Sequence, residues 1–291
     1  MSFQQYSAPR NPRVVEKRLP TIREHELLIK VKACGVCGTD LHIHEGGFGA
    51  QFPVVPGHET VGVVAAFGSK VKGFSVGDRV VADNSELCGE CFYCRRGAEL
   101  FCENFIAHGV MVDGGFAEYA AYPARRVFPI KAISDVDATL IEPAACAAHG
   151  IDKIAPHVGS NVLLFGAAAP GGVKMAFAKS LDAADEYIDL PQDQTAAAVV
   201  LEKLQQDNPY GFDIVVEATG SAKVLERALD FVRKGGKLVV YGVYKDDDRI
   251  ALAPNKIFKE EIHVSFRVEE WEECLEAMRT KRVIKAAIIF D

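Results

Sequence analysis

The sequence lacks the features that would point to nucleic acid or to a membrane. It has no long run of Lys or Arg, and its 33 basic and 40 acidic residues give a formal net charge of −7 at pH 7, which disfavours a nucleic-acid partner. It also has no apolar run of the roughly 20 residues that a membrane-spanning helix needs. The first 20 residues contain no apolar core of signal-peptide length. We therefore expect a cytoplasmic protein with neither a nucleic-acid nor a membrane partner.

Disulfides are not expected either, although the chain has eight cysteines. The cytosol keeps thiols reduced, so this number of cysteines needs another role. Apolar residues make up 49% of the 291 residues and charged residues 25%, a composition that buries a substantial core. This length allows one large domain or two of ordinary size.

The two halves of the chain differ in their predicted elements. Up to about residue 150, short β-like runs broken by glycine and proline indicate a mostly antiparallel, barrel-like domain; the clearest runs are ELLIKVKACG, ETVGVVAAFG and GDRVVAD. Beyond it, apolar strands alternate with helices, which predicts a parallel α/β domain. A predicted helix, DATLIEPAACAAHG, leads up to this boundary. Beyond it the predicted strands are NVLLFG, EYIDL, FDIVVEATG and KLVVYGV, and the predicted helices are GGVKMAFAKSLDAAD, TAAAVVLEKLQQD and AKVLERALDFVRKGG. An amphipathic helix, VEEWEECLEAMR, and a strand, KAAIIFD, close the chain.

Four of the cysteines lie close together in the segment CGECFYCRRGAELFC. Cys88, Cys91, Cys94 and Cys102 follow one another at spacings of three, three and eight residues. Four thiolates joined by short loops favour a closed tetrahedral zinc site with a structural role. Four unrelated thiols are a weaker alternative, and an iron–sulfur cluster is disfavoured because its usual cysteine run is spaced differently.

A second group of metal-binding residue types precedes these cysteines, in ACGVCGTDLHIHEG and VVPGHETVG. A catalytic zinc takes a few N, S or O ligands and keeps one open position. Cys37 and His58 offer a thiolate and an imidazole, and either Glu59 or Glu142 offers an oxygen. Asp40 is a candidate to orient the second nitrogen of His58.

These segments together resemble the zinc-dependent medium-chain alcohol and polyol dehydrogenases. The resemblance runs in order through GVCGTDLH, PGHETVGVV, VGDRVV, CGECFYCRRGAELFC, DGGFAEY, IEPAACAAHG and VVEATGS. It implies a GroES-like barrel catalytic domain over residues 1–150, a shortened Rossmann-type cofactor domain over 151–266 and a return to the catalytic domain over 267–291. IEPAACAAHG and the ending IKAAIIFD look most like the sorbitol and arabinitol dehydrogenase branch.

The resemblance also implies a role for each candidate residue. Catalytic zinc would be bound by Cys37, His58 and Glu59, with Glu142 a ligand or a group that reaches the substrate through water. Thr39 and His42 would form a proton relay that includes a ribose hydroxyl of the cofactor, and Phe48 would line the substrate pocket. Structural zinc would be bound by Cys88, Cys91, Cys94 and Cys102, and NAD or NADP would meet Gly166, Thr219, Gly220 and Val243. Cys34, Cys146 and Cys274 are expected to be buried apolar residues.

The implied reaction transfers a hydride from a polyol or secondary alcohol to NAD(P). Zinc lowers the pKa of the substrate hydroxyl, and the nicotinamide accepts the hydride. A homodimer or homotetramer is expected from the family, whereas the individual substrate is beyond the sequence.

The phosphate loop expected of such a cofactor domain is missing. A dinucleotide fold places G-x-G-x-x-G between its first strand and first helix, but Gly166 is followed by Ala-Ala-Ala-Pro-Gly. A block with the loop, its helix and most of the second strand is absent, with a join near Ala167–Ala169, and a second join lies within IHVSFRVEEWEECLEAM. Lost exons, an engineered deletion or residues omitted from the recorded chain would each explain this.

The shortening leaves two questions of function open. No acidic residue stands where such folds read the ribose, so NADP is as plausible as NAD. If the phosphate-binding part is truly absent, a non-catalytic, zinc-stabilised remnant is the alternative to an enzyme. A zinc-free quinone reductase on the same fold is disfavoured by the four-cysteine segment.

Overall fold

The computed structural model describes residues 2–166, 173–191, 193–244, 248–251 and 253–266. The chain divides into two compact units, Met1–Ala148 and His149–Asp291. The three-part division into 1–150, 151–266 and 267–291 stays a prediction, because residues 267–291 lie outside the described part of the chain. Within that part, no helix is both long and apolar enough to cross a membrane.

The first unit is built mainly from short antiparallel strands, as the sequence predicts. They are β1 (Ser2–Tyr6), β2 (Pro12–Glu16), β3 (Glu26–Gly35), β4 (Glu59–Phe67), β5 (Arg79–Ala82), β6 (Ser85–Glu86), β7 (Ile106–Ala107), β8 (Tyr119–Pro123) and β9 (Val127–Pro129). Five of them form a curled sheet in the order β8-β3-β4-β5-β9, while β1 pairs with β2 and β6 with β7. Helices α1 (Gly38–Glu45) and α2 (Asp135–Ala138) follow strand ends, and α3 (Ile141–Ile154) contains the boundary between the units.

Alternating side chains of this sheet form the core of the first unit. Leu27 and Ile29 of β3 pack with Val64 of β4 and Val80 of β5, all of them almost fully buried. Tyr122 is also fully buried, and its hydroxyl lies 2.8 Å from the Thr60 hydroxyl. Because buried polar groups are costly without partners, this pairing lets a tyrosine occupy the core.

The second unit has a parallel sheet with helices, also as predicted. Its elements are β10 (Val162–Phe165), α4 (Val173–Ser180), α5 (Gln194–Asp207), β11 (Phe212–Glu217), α6 (Ala222–Ala228), β12 (Val232–Val240), α7 (Pro254–Glu260) and β13 (His263–Phe266). The strand order is β10-β11-β12-β13, all parallel. One face packs Phe165, Val215 and Leu238 against α5, α6 and α7, and the other buries Ile214, Val216 and Val239. Burial on both faces explains why these strands read as continuous apolar runs.

Two element predictions in this unit are wrong. EYIDL, residues 186–190, is not a strand: the Tyr187 hydroxyl donates to the Ala178 carbonyl and accepts from the Ala184 amide, so the side chain closes the turn after α4. The helix predicted over 222–236 ends at Ala228, and β12 begins at Val232. Val232 pairs with Phe212 and is buried, so tertiary pairing overrides the local helical pattern there.

The described residues between β10 and β11 contain α4 and α5 but no strand. The pieces outside the described part in this interval, 167–172 and 192, are too short for a further strand and helix. The described part of the second unit therefore has fewer elements between these two strands than a complete Rossmann-type domain. Both predicted joins lie outside the described residues.

Replacement of Leu238 by alanine should destabilise the second unit. Leu238 is fully buried in its core, and such truncations typically cost about 2–5 kcal/mol of unfolding free energy because a cavity remains. Val199→Ala is the matched control, since Val199 on α5 is 62% exposed. Urea unfolding followed by circular dichroism should show a large loss for the first variant and almost none for the second. Equal stabilities would contradict this assignment of the core.

Candidate metal centres and cofactor edge

The four predicted structural cysteines converge in the first unit. The four Sγ atoms all lie within 4.8 Å of one another; they belong to Cys88, Cys91, Cys94 and Cys102. The Sγ of Cys88 is 3.5 Å from that of Cys102 and 4.0 Å from that of Cys94. Tetrahedral zinc with Zn–S bonds of about 2.3 Å holds its sulfurs about 3.8 Å apart. The four sulfurs are therefore close enough together to bind one zinc ion.

Backbone amides of the same loop point at these sulfurs. Amides of Glu90 and Cys91 donate to the Cys88 Sγ at 3.4 and 3.3 Å, and the Cys88 amide donates to the Cys102 Sγ at 3.3 Å. These backbone donors lower the pKa of the Cys88 thiol to about 6. The thiolate form, which binds metal, is thus favoured near neutral pH.

The second cluster joins Cys37, His58 and Glu59. One donor atom from each lies within 4.8 Å of the others. Cys37 is the N-cap of α1, Glu59 begins β4 and His58 precedes it. Gly57 enables this arrangement: its φ is +93°, and a Cβ there would lie 2.6 Å from Cδ1 of Phe116.

Asp40 links two of the three residues of this cluster. Its Oδ2 accepts a hydrogen bond from the Cys37 amide at 2.8 Å, and its Oδ1 lies 3.7 Å from His58 Nδ1. Asp40 Oδ1 and His58 Nδ1 are both buried without a hydrogen-bond partner among the described residues. With Nδ1 turned towards Asp40, the other nitrogen of His58 is available to a metal.

The charges of the cluster act on one another. The hydrogen bond from His58 lowers the pKa of the Cys37 thiol. Burial lowers the pKa of His58, but its hydrogen bond with Cys37 and the charge of Asp40 outweigh burial and raise the pKa overall. Burial raises the pKa of the Glu59 carboxyl. A divalent cation would stabilise the deprotonated forms of Cys37 and Glu59.

The other catalytic candidates lie around this cluster rather than in it. Thr39 Oγ1 is 3.8 Å from the Cys37 Sγ. His42, one turn further along α1, stacks on Phe48 with ring centroids 6.4 Å apart. Glu142 is not among the three clustered donors, although its charge raises the pKa of both His58 and Glu59.

The remaining cysteine predictions have different outcomes. Cys34 is half-buried next to Thr60 rather than fully buried, and desolvation raises the pKa of its thiol to about 12. Cys146 is exposed, so the prediction that it is buried is wrong: it lies on a solvent-facing stretch of α3, with its thiol 3.6 Å from Glu142 Oε1. Cys274 lies outside the described residues.

The four predicted cofactor residues lie at the carboxyl ends of neighbouring strands in the second unit. Gly166 follows β10 with a φ of +99°, and a Cβ there would lie 2.8 Å from the Thr219 amide nitrogen. Gly220 has a φ of +68°, and a Cβ there would collide with the Val243 carbonyl oxygen. Ligands of open parallel sheets bind at this edge.

A residue that sequence analysis missed, Glu217, holds this edge together. It ends β11 and is fully buried. Its carboxylate accepts hydrogen bonds from the Thr219 amide at 2.7 Å, from the Thr219 hydroxyl and from the Tyr244 hydroxyl. Its carbonyl accepts from the amides of Tyr241 and Gly242 at 2.7 and 2.9 Å. An acidic residue inside an apolar strand run was the signal, because buried carboxylates need partners.

Comparisons with known proteins agree with this architecture. The family described as "Alcohol dehydrogenase GroES-like domain" matches residues 23–132, and the family described as "Zinc-binding dehydrogenase" matches residues 153–280. An alcohol dehydrogenase of Escherichia coli CFT073, solved in complex with NADH, is 25% identical with a TM-score of 0.78, covering 97% of this chain and 88% of that one.

Two relatives by sequence are polyol dehydrogenases. D-arabinitol dehydrogenase 1 of Uromyces fabae is 43% identical, covering 97% of this chain and 95% of the relative. Sorbitol dehydrogenase of Halalkalibacterium halodurans is 31% identical, covering 93% and 85%. The alignment with the arabinitol dehydrogenase runs over 334 positions, whereas this chain has 291 residues, so at least 43 positions (334 minus 291) have no residue here.

Residues of the relative are thus missing from the interior of this chain, in agreement with the shortened sheet. The two family matches follow each other along the chain, and one relative is similar over nearly the whole length. Together they identify the family of this chain. The chain belongs to the zinc-dependent medium-chain alcohol and polyol dehydrogenases.

Proposed function

We propose that this chain oxidises a polyol or secondary alcohol with a nicotinamide cofactor, at a zinc ion bound by Cys37, His58 and Glu59. The observation that carries the proposal is this cluster of three donors within 4.8 Å. A zinc ion held by these three residues would keep a coordination position open for water or a substrate hydroxyl. The named polyol dehydrogenases among the relatives support the substrate class.

Zinc at this position supplies Lewis acidity, which favours ionisation of a hydroxyl bound in the open position. Asp40 keeps Cys37 and His58 in place through the contacts described above. Thr39, whose hydroxyl lies 3.8 Å from the Cys37 sulfur, would receive the hydroxyl proton and pass its own proton on, and His42 would carry it towards solvent. A nicotinamide cofactor would accept the hydride from the substrate carbon, and the alcohol would become a carbonyl compound.

Two carboxylates beside the metal suit a substrate with several hydroxyl groups. Glu59 is buried within the cluster, and the charge of Glu142 reaches both Glu59 and His58. Carboxylates accept hydrogen bonds from neighbouring hydroxyls. We assign to Glu142 the binding of a second substrate hydroxyl, directly or through water.

The second zinc in this proposal is structural, bound by Cys88, Cys91, Cys94 and Cys102. Four thiolates complete its coordination and leave no position for substrate. NAD or NADP is placed at the edge formed by Gly166, Thr219, Gly220 and Val243. The choice between these cofactors, the cytoplasmic location and the dimer or tetramer stay predictions, while the comparisons give no support to a non-catalytic remnant.

A panel of polyols tests the proposed function directly. We expect the purified chain, loaded with zinc, to reduce NAD or NADP with D-arabinitol, sorbitol or a related polyol, measured by the absorbance of the reduced nicotinamide. The reaction should be faster with these polyols than with ethanol, because Glu142 has no second hydroxyl to bind in ethanol. No turnover with any polyol, at full zinc occupancy, would overturn the proposal.

Replacement of Cys37 by alanine should abolish catalysis and leave the fold intact. The helix cap is retained because Asp40 accepts from the Cys37 backbone amide. We expect activity to fall by a factor of about 100 or more, since metal catalysis contributes several kcal/mol, and bound zinc to fall from two ions to one. Cys34→Ala, a nearby thiol outside the cluster, should keep both zinc ions. Near-normal turnover by the Cys37 variant would refute the catalytic assignment.

Replacement of Cys91 by serine should instead affect stability. Loss of one of four thiolates weakens the structural zinc site, so the melting temperature and zinc content should both fall. Cys146→Ser is the control, since Cys146 is exposed and lies outside both clusters. Thermal unfolding and elemental analysis measure the two effects. Unchanged melting together with unchanged zinc content in the Cys91 variant would exclude the structural site.

A further inference from the structure

The described parallel sheet corresponds to little more than one half of a dinucleotide fold. Such a fold is built from two mononucleotide-binding halves with the strand order 3-2-1-4-5-6, and the dinucleotide lies across the point where the order reverses. Here β10, the first strand in the chain, pairs on one side with β11, followed by β12 and β13. In the described residues no strand lies on the other side of β10.

The open side of β10 is reflected in the exposure of its side chains. Val162 and Leu164 are 44% and 46% exposed, whereas their partners in β11, Ile214 and Val216, are buried. In a doubly wound sheet the first strand is central and should be covered on both faces. Among the described residues, β10 is therefore an edge strand.

The sequence after β10 also lacks the groups with which such folds recognise the first nucleotide. From Gly166 the sequence reads Gly-Ala-Ala-Ala-Pro-Gly, without the second glycine that lets the backbone approach a pyrophosphate. The chain after α4, residues 181–191, contains no strand to end in an acidic residue at the ribose. Its acidic residues Asp182, Asp185, Glu186 and Asp189 are exposed, and Asp189 pairs with Lys179.

The turns at the carboxyl ends of β10, β11 and β12, where we place the other nucleotide, lie within the described residues. Gly166, Thr219, Gly220 and Val243 are in close contact there, and the buried Glu217 connects the turn after β11 to the turn after β12. These contacts are all between described residues of the second unit. These contacts involve no residue of the strands that the described sheet lacks on the far side of β10.

We infer that this chain recognises its cofactor through the nicotinamide mononucleotide half and gains little affinity from the adenosine half. The inference rests on the proposed function. It assigns the cofactor class as a reduced or oxidised nicotinamide nucleotide, for which the adenylate is dispensable. It also explains why a 2′-phosphate on the adenosine ribose should make little difference.

Titration of the zinc-loaded full chain with NADH and with reduced nicotinamide mononucleotide, followed by nicotinamide fluorescence, tests the inference. We expect the two dissociation constants to agree within about tenfold, because only a few hydrogen bonds to adenosine would already exceed that factor. NADPH should bind within the same range. ADP-ribose serves as a probe for the adenosine half. It should not displace NADH when it is added at concentrations comparable to the dissociation constant of NADH.

A variant of the nicotinamide edge provides the control. Val243→Ala should weaken NADH and reduced nicotinamide mononucleotide by the same factor, since both use that edge. Gly220→Ala, whose new Cβ would meet the Val243 carbonyl, should weaken both further, and circular dichroism establishes that each variant is folded. A variant that weakens only the mononucleotide would contradict the inference.

The outcomes separate this inference from the proposed function. NADH binding more than about tenfold tighter than the mononucleotide, or displacement by ADP-ribose, would overturn the inference and leave the dehydrogenase proposal standing. Binding of neither nucleotide would overturn the dehydrogenase proposal, and the inference with it. Turnover of a polyol with oxidised nicotinamide mononucleotide as hydride acceptor would support both.

Discussion

The order of strands in the parallel sheet is the constraint on which cofactor recognition in this chain depends. Parallel strands place their carboxyl ends at one edge, so each strand contributes one turn to the binding surface. Here β10, β11 and β12 bring Gly166, Thr219 and Val243 together. Because the described sheet ends at β10, the surface ends there as well. Exposure of Val162 and Leu164 is the packing consequence of the same edge.

The metal-binding residues depend on a different and more local set of constraints. The four structural cysteines lie within a single loop, from Cys88 to Cys102, and the loop's own amides hold their sulfurs. The catalytic cluster needs only the junction of α1 with the start of β4, together with the close approach allowed by Gly57. All of these contacts lie in the first unit, so shortening of the second unit leaves the donor sets intact.

Features with a strong local signature could be predicted from sequence. The four closely spaced cysteines converge, and so do the donor atoms of Cys37, His58 and Glu59. The apolar runs that became β11 and β12 form buried strands. The predictions that failed share a physical cause. Whether EYIDL forms a strand, where the helix after Ser221 ends and whether Cys146 is buried all depend on the neighbouring elements that pack against them. A short apolar run does not reveal from its sequence which other element it will pack against. Glu217 was missed for the same reason, since its role exists only when Thr219 and Tyr244 surround it.

The Glu217 carboxylate explains how a shortened cofactor domain keeps a usable binding edge. A buried carboxylate is costly unless hydrogen bonds compensate it, and here two hydroxyls and one amide do so from within the second unit. These hydrogen bonds connect the turn after β11 to the turn after β12 without the help of any ligand. Preorganisation of this kind lowers the entropy lost on binding. A ligand that binds at this edge would therefore meet turns that are already held in place.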